Sequence, residues 1–533
     1  MKKIALLLFL FGTFVLQAQL TNEGTPKSWD SNRASTSITP IVLPEVDVER
    51  LLQEDAQVKK GDAPFRFGQE IVVDYTLQNS GVWTTLENGD RIWRIRFQSQ
   101  GAKTLNFVFN DFYLPNGGTI YLYSNDRQNL LGAYTHIENN SERMLGTWFV
   151  EGDDVWIEYF EPKAVEGQGI LQIGKAVHGY RNIGPMQNDR GLNDSGNCNH
   201  DVDCPIDPNL EDYKDVNKYS VAWLLMGGYM CTGGLVNNTT NDGTPYFLTA
   251  NHCYAGNPAT WSFRFKWISP NPVCAANQNS TNGPMNHVMS GSTLKAKRAD
   301  TDFCLVQLNQ TVPEAWELTW AGWDRTDVIP NKSFGIHHPS GDIMKVCVDD
   351  HAPTKQSTLW RIAKWDLGVT EGGSSGSPLF DHNGRVIGQL YGGEAECVGF
   401  DGVGYDVYGR FGLSWDGANS SQRLKDWLDP DGAEATTVDP LIGGPTASVS
   451  ENDFAASVSV YPNPSNGIIT IENTSVGTLS YEIYNVVGQT VTKGAVEGLA
   501  ATLDLSNNQA GIYFIKLQDT QSNSVVTKKL VIK

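Results

Sequence analysis

Three stretches of this 533-residue chain carry side chains that combine into one chemistry. Tyr246 to Cys253 (Tyr-Phe-Leu-Thr-Ala-Asn-His-Cys) is an apolar, strand-like run that delivers His252. Thr301 to Leu308 places Asp302 at the start of an alternating run. Gly372 to Pro378 (Gly-Gly-Ser-Ser-Gly-Ser-Pro) is a glycine- and serine-rich loop that feeds a hairpin ending at Leu390, with Asn383-Gly384 as its turn signal. A serine hydroxyl is a weak nucleophile by itself. It needs an imidazole to take its proton and a carboxylate to hold that imidazole in the right tautomer. It also needs backbone N–H groups facing the developing oxyanion, and glycines permit the tight backbone that aims them. His252, Asp302 and Ser375 supply the three side chains in that chain order.

The order discriminates between scaffolds. Gly372-Gly-Ser374-Ser-Gly376 formally fits the G-x-S-x-G nucleophile elbow, but that arrangement runs serine, acid, histidine. The histidine that follows Ser374 is His382, on the hairpin and too near to serve. A subtilisin-type order puts the aspartate before the histidine. Histidine, aspartate, serine is the chymotrypsin order. T-A-N-H-C around His252, T-D-F-C-L-V around Asp302 and G-S-S-G-S-P around Ser375 resemble a chymotrypsin-fold serine protease. The closer resemblance is to bacterial lysyl endopeptidases. It rests on Cys198-x5-Cys204-Pro, Cys231-Thr-Gly-Gly-Leu-Val-Asn-Asn, Ala321-Gly-Trp-Asp-Arg325, Ile336-His-His-Pro339, Gly388-Gln-Leu-Tyr-Gly-Gly393, Tyr408-Gly-Arg-Phe411 and Asp426-Trp-Leu-Asp-Pro430.

Carried over residue by residue, the resemblance implies His252 as general base, Asp302 as its orienting acid and Ser375 as nucleophile. The N–H groups of Gly373 and Ser375 would form the oxyanion hole. A trypsin places an aspartate six residues before its nucleophile; that position is Val369 in this chain. The family instead sets an aspartate just before Tyr-Gly-Arg, which is Asp406, with Asp401 as a nearby competitor. A buried carboxylate ending an apolar slot selects a cationic side chain, because leaving the charge unpaired is costly. Tyr391, Gly392 and Gly393 would line the same pocket. Tyr391 stands where the family has a histidine, and Trp360 is the candidate for the aromatic ring that the family packs by its catalytic histidine. The resemblance also implies disulfides Cys198–Cys397, Cys204–Cys274 and Cys231–Cys253. A fourth, Cys304–Cys347, is expected from the two cysteines left over.

The elements that position these residues are mostly strands. The 53 glycines, with many Asn, Thr and Ser, suit turns and strands more than helices. The 40 Lys and Arg against 60 Asp and Glu give a net charge of −20, and no basic cluster offers the footprint a nucleic-acid binder needs. Met1-Lys-Lys, the apolar run Ile4 to Leu16 and small Ala18 read as a secretory signal over residues 1–18, too short to span a bilayer. All eight cysteines lie between Cys198 and Cys397, as disulfides of an exported domain would, and the absence of any C-x-x-C pair argues against structural zinc. His337-His338 precedes a proline turn and is read as making loop hydrogen bonds rather than binding metal. Trp316, Trp320 and Trp323 are read as core. Ser420 to Trp427 reads as a packed helix capped by Ser420 or Ser421.

The expected order of domains is a signal (1–18), a β-rich propeptide (19–190) with a sandwich-like part at about 65–175, a trypsin-like protease domain (191–440), a linker (441–457) and a C-terminal domain (458–533). Val460-Tyr-Pro-Asn-Pro-Ser-Asn-Gly467, Tyr484-Asn-Val-Val-Gly-Gln489, Ala510-Gly-Ile-Tyr513 and the final Val-Thr-Lys-Lys-Leu-Val-Ile-Lys533 resemble a type IX secretion sorting domain, a small β-sandwich. No Ile/Val-x-Gly-Gly start exists for a trypsin-style activation, and the polar stretch around Arg190-Gly191 is the expected processing site. The expectation is a mostly β protein with a chymotrypsin-like double β-barrel: a serine endopeptidase, without cofactor or metal, that cuts proteins or peptides after Lys. It would use the type IX secretion machinery and end up secreted or attached at the outer surface of a Gram-negative bacterium, with no transmembrane segment once the signal is removed. The alternatives are Arg or mixed Lys/Arg specificity, or an inactive protease-fold adhesin.

Overall fold

A computed structural model describes residues 24–30, 37–183, 192–443, 458–473, 479–485, 489–496, 498, 500–519 and 525–533. The signal segment at 1–18 and the processing site at Arg190-Gly191 lie outside the described residues. Two compact units divide at residues 444 and 445.

The first unit opens with two packed, mainly antiparallel sheets. One holds Arg91–Gln98, Asp154–Glu161, Thr119–Ser124 and Leu130–Tyr134 in that order, with Ile41–Val42 and Val82–Thr85 on Arg91–Gln98. The other holds Thr104–Tyr113, Ile170–Gly179 and Gly68–Thr76, with two short strands on Thr104–Tyr113. The period-two alternation of Leu105, Phe107 and Phe109 turns one face inward, onto Phe97, Ile157 and Tyr159. The sandwich thus extends beyond the 65–175 read from the sequence, out to Ile41 and Gly179.

Two further sheets follow, the β-rich architecture expected of the protease region. The first runs Val288–Ser290, Ser262–Phe265, Val221–Met226, Tyr229–Val236, Tyr246–Ala250, Phe303–Leu308, Ser292–Arg298. The second includes Lys345–Asp349, Ser333–His337, Pro378–Asp381, Val386–Gly393, Asp406–Arg410 and Leu359–Ile362 in order. Leu248 and Leu305 from the first sheet share a core with Phe334, Phe380 and Val386 from the second. The sandwich joins the first sheet through aromatic rings: Trp148 meets Trp223 edge-on at 5.0 Å, and Arg264 lies over Trp148.

Disulfides join Cys198–Cys397, Cys204–Cys274 and Cys231–Cys253. The fourth expected bridge is not made: Cys304 and Cys347 are both free and buried. Cys304 sits mid-strand opposite Thr249 in the first sheet and Cys347 opposite Gly335 in the second, in separate cores. Two other expectations also need correcting. Leu441–Ile442 pairs with Thr319–Trp320, so these residues belong to the first unit rather than to a linker starting at 441. Ser420 to Trp427 is not one helix. Asn419, not a serine, caps a single turn at Ser420–Gln422, and a short helix at Lys425–Leu428 follows, burying Leu424 and Leu428. Trp316, Trp320 and Trp323 are buried as expected.

The second unit pairs a three-stranded sheet (Val458–Tyr461, Ile468–Asn473, Ala500–Asp504) with a four-stranded one (Thr490–Val496, Leu479–Asn485, Gly511–Asp519, Val525–Ile532). Ile469, Ile471, Ile483, Ile515 and Leu517 form its own core. Among the described residues, no helix is long and apolar enough to cross a membrane.

Candidate active site

The Tyr246–Ala250 strand is hydrogen-bonded to Phe303–Leu308, with Ala250 opposite Phe303. That register sets Asp302 beside His252. The His252 N–H donates to Asp302 Oδ1 at 2.9 Å, and His252 Nδ1 lies 2.8 Å from Asp302 Oδ2. The Asn251 N–H donates to the Asp302 carbonyl at 2.7 Å, and Asp302 adopts a left-handed backbone (φ 55°) that points both its carbonyl and its carboxylate at the histidine loop. Burial raises the Asp302 carboxyl above its usual range, while the bonds from His252 pull it back down. The Cys231–Cys253 disulfide fastens the residue after His252 to the neighbouring strand.

The Gly372–Pro378 loop is tied on both sides. Thr232 N–H donates to the Ser375 carbonyl at 2.8 Å, and Thr232 Oγ1 donates to the Gly373 carbonyl at 2.9 Å. Gly373 and Gly376 hold φ values of 90° and 82°. A Cβ on Gly376 would collide with Thr249 Oγ1 and come within 2.8 Å of the Ala250 nitrogen. Only glycine therefore lets the turn after Ser375 press against the strand that leads into His252. The N–H groups of Gly373 and Ser375 find no acceptor among the described residues, although both residues line a cleft of about 440 Å³. The Ser375 hydroxyl makes no hydrogen bond to His252 among the described residues.

Ser374 is held differently. Its Oγ accepts from the Glu371 N–H at 3.1 Å and lies 2.8 Å from His337 Nδ1, in full burial. His338 Nδ1 contacts the Asp342 carbonyl at 3.0 Å, and its ring stacks on Trp267. Burial keeps both imidazoles neutral: the His338 pKa falls to about 4 and that of His337 well below its usual value. The contacts to Ser374 and to the Asp342 carbonyl are the loop hydrogen bonds expected of His337-His338.

Asp406 is fully buried beside the segment that leads into this loop. Trp365 Nε1 donates to its Oδ2 at 2.7 Å and Thr370 Oγ1 at 2.8 Å. Its Oδ1 accepts from the ammonium of Lys60 at 2.7 Å. Gly393 (φ 153°) leaves room for this carboxylate, since a Cβ there would lie 2.5 Å from Asp406 Oδ1. The competing Asp401 is exposed on the Glu396–Val398/Asp401–Val403 ribbon. Trp360, the expected ring beside the histidine, is elsewhere: it is buried with its Nε1 donating to the Ile387 carbonyl. The ring that meets His252 is Tyr391, edge-on at 5.8 Å, because Tyr391 follows directly along the strand that borders the slot.

Sequence reasoning missed Trp365, Thr370 and Lys60. Thr370 precedes the Glu371-Gly-Gly loop and Trp365 lies on the connection leading to it, so their distance from the serine was the available signal. Lys60 offers none, standing 346 positions from its partner.

Among the described residues, three clusters could draw a metal ion. In His200/Cys204/Cys274 and Cys231/His252/Cys253 the cysteines are consumed by disulfides. In Asp349/His351/Asp366, His351 and Asp366 are exposed and contact each other at 3.1 Å.

Comparison with known proteins gives the same two regions. Residues 192–409 match the family model described as lysyl endopeptidase, C-terminal domain. Residues 459–533 match the model of a secretion system C-terminal sorting domain. A lysyl endopeptidase of Pseudomonas aeruginosa is 27% identical over 271 residues, covering 46% of this chain and 56% of that protein. The match thus spans about half the length of that relative. An endo-acting ulvan lyase of Formosa agariphila is 37% identical over 90 residues, 16% of this chain and 17% of that protein. A solved structure of PorZ, a surface component of the type IX secretion system of Porphyromonas gingivalis, is 8% identical with a TM-score of 0.14, covering 56% of this chain and 32% of that one, and carries no argument. The chain therefore carries a region similar to the lysyl endopeptidase C-terminal domain, together with a type IX secretion sorting domain that marks it as secreted or held at the outer surface of a Gram-negative bacterium.

Proposed function

We propose that the protein is a secreted serine endopeptidase that hydrolyses peptide bonds on the carboxyl side of lysine. The observation that carries this reading is the lysine ammonium on buried Asp406, from a residue, Lys60, that lines the same cleft as Ser375. His252 takes the proton from the Ser375 hydroxyl as its oxygen attacks the scissile carbonyl carbon. The oxyanion is received by the Gly373 and Ser375 N–H groups. His252 then gives the proton to the leaving amine, and Asp302 stabilises the imidazolium throughout. Water, deprotonated by His252, attacks the acyl-enzyme and releases the acid. Tyr391, Gly392 and Gly393 form the wall of the slot.

Lysine fits the slot better than arginine. Asp406 Oδ1, the Thr370 carbonyl and Thr370 Oγ1 are three acceptors around one point, which suits the three donors of an ammonium rather than a planar five-donor fork. In this reading residues 1–18 are the signal, 19–190 a propeptide released near Arg190-Gly191, and 458–533 the segment presented to the type IX machinery. Digestion of a peptide library with the processed protein tests the reading. New carboxyl termini ending in Lys are expected. Equal numbers ending in Arg would reject lysine selectivity. Absence of both cleavage and labelling by a serine-directed phosphonate would favour the inactive adhesin.

A further inference from the structure

Lys60 belongs to the N-terminal part of the chain, yet its side chain ends on Asp406. Its ammonium donates to Asp406 Oδ1 at 2.7 Å, to the Thr370 carbonyl at 2.8 Å and to Thr370 Oγ1, so all three donors are used. The side chain is 12% exposed, whereas neighbouring Lys59 is exposed to solvent.

The backbone follows the cleft. A Cβ on Gly61 would lie 2.8 Å from the Tyr391 carbonyl oxygen, and one on Gly392 would lie 2.8 Å from the Lys60 carbonyl carbon. Further on, Phe65–Arg66 adds an antiparallel strand to the edge of Tyr229–Val236, with Phe65 opposite Met230. The Phe65 ring lies where a side chain on Gly372 would be. Residues 60–66 thus run from Asp406 to the far strand, and Lys60, Ala63, Pro64, Phe65 and Arg66 line one cleft with Gly372, Gly373 and Ser375.

The segment is held from behind. Arg66 and Arg181 both pair with Asp55, at 2.7 and 2.8 Å, Tyr180 donates to the same carboxylate at 2.6 Å, and Phe67 is buried in the core of the sandwich. A ligand tethered this way competes at high effective concentration.

One feature separates Lys60 from a substrate. Attack requires the carbonyl in front of Ser375, with its oxygen on the N–H groups of Gly373 and Ser375. The Lys60 carbonyl instead faces Gly392, and neither N–H donates to it. A turn closed by the Asp62 N–H on the Lys59 carbonyl at 3.0 Å lifts the chain away between the slot and the strand.

We propose that Lys60 is an internal ligand of the specificity pocket, and that Lys60–Arg66 blocks the cleft in a substrate-like direction while keeping the Lys60–Gly61 bond out of reach of Ser375. This rests on the reading of Asp406 as the lysine site. Removal of the N-terminal part would then open the pocket, and side-chain specificity and inhibition would share one carboxylate.

Two measurements on the full-length chain test it. In the Ser375→Ala protein, acetic anhydride should modify Lys60 at least about ten-fold more slowly than Lys59, as an ammonium with all its donors engaged is protected. Equal rates would overturn the proposal without requiring any change at Lys60. In the unprocessed chain with Ser375 intact, Lys60→Met should raise hydrolysis of a small lysine ester and phosphonate labelling of Ser375 by about ten-fold or more, reflecting loss of a tethered competitor. Unchanged rates in a folded Lys60→Met chain would also overturn it. A norleucine ester measured in parallel separates the two readings. If Lys60→Met opens the site but lysine is not preferred, the blockade stands and the lysine pocket fails. If lysine is preferred but Lys60→Met changes nothing, the pocket stands and the blockade fails.

Discussion

Two adjacent serines show how much a single contact decides. Ser374 spends its hydroxyl on His337 and the Glu371 N–H, whereas Ser375 lies on the cleft, where its own N–H and that of Gly373 have no acceptor among the described residues. Ser375→Ala should lower kcat by roughly 10⁴–10⁶-fold with the fold intact, the usual cost of a missing nucleophile. Ser374→Ala should instead destabilise by about 1–3 kcal/mol through the orphaned buried imidazole, and keep turnover. Thermal melts and ester hydrolysis of the two variants check this; a dead Ser374→Ala beside an active Ser375→Ala would reverse the assignment. The sequence suggested His252, Asp302 and Ser375 because each sits in a local pattern of strand, loop or glycine, and the family resemblance suggested Asp406. Trp365 and Thr370 were not singled out: nearness to the serine was their one signal, and their bonds to Asp406 arise when segments distant in sequence meet.

At the scale of elements, strands were legible from alternation, and turns from glycine. The Ser420–Trp427 helix was misread because apolar spacing at Leu424 and Leu428 persists through a break at Arg423, whose backbone is extended. Cys304 and Cys347 were misread because cysteine parity says nothing about which sheet a strand joins. The loop carrying Ser375 depends on Gly376, with φ of 82° and a backbone wall where a Cβ would be. Gly376→Ala should cost about 1–3 kcal/mol in local strain, and phosphonate labelling of Ser375 should fall with it; unchanged labelling would show the close approach to be dispensable. His338 gives this region a pH dependence. Its pKa is about 4 in the fold and ordinarily near 6.5 once unfolded. Between those values the unfolded chain binds more protons, so stability falls as pH drops from about 6.5 towards 4. Buried Glu138, raised to about 7, and Asp349, raised to about 6, act in the opposite sense in an overlapping window. Comparison with a variant isolates the histidine: His338→Asn should lose less of its melting temperature between pH 7 and 4.5 than the parent does. An equal loss would place the acid sensitivity in other groups.

On the scale of the whole molecule, the two units have separate cores, and the C-terminal one matches a sorting domain. Deleting residues 458–533 should leave an enzyme that folds and labels with phosphonate but accumulates inside the cell; fractionation of the native host reads this, and normal export would remove the sorting role. That a lysyl endopeptidase-like region precedes a sorting-type one was legible in motifs, while the return of the N-terminal segment to the cleft was not, since no local pattern encodes a contact between Lys60 and Asp406. The lysine selectivity of the proposed activity rests on that carboxylate. Breaking one side of a buried charge pair costs about 3–5 kcal/mol, or roughly 10²–10⁴ in kcat/KM at about 1.36 kcal/mol per decade. The decisive measurement is kcat/KM of the processed enzyme and its Asp406→Asn variant on matched lysine, arginine and norleucine esters, with phosphonate labelling as a control for intact machinery. Lysine should be strongly preferred by the parent, and Asp406→Asn should lose roughly 10²–10⁴ on lysine while norleucine hydrolysis and labelling change far less. An unchanged lysine preference in Asp406→Asn would contradict the assignment of the pocket and with it the lysine-directed peptidase.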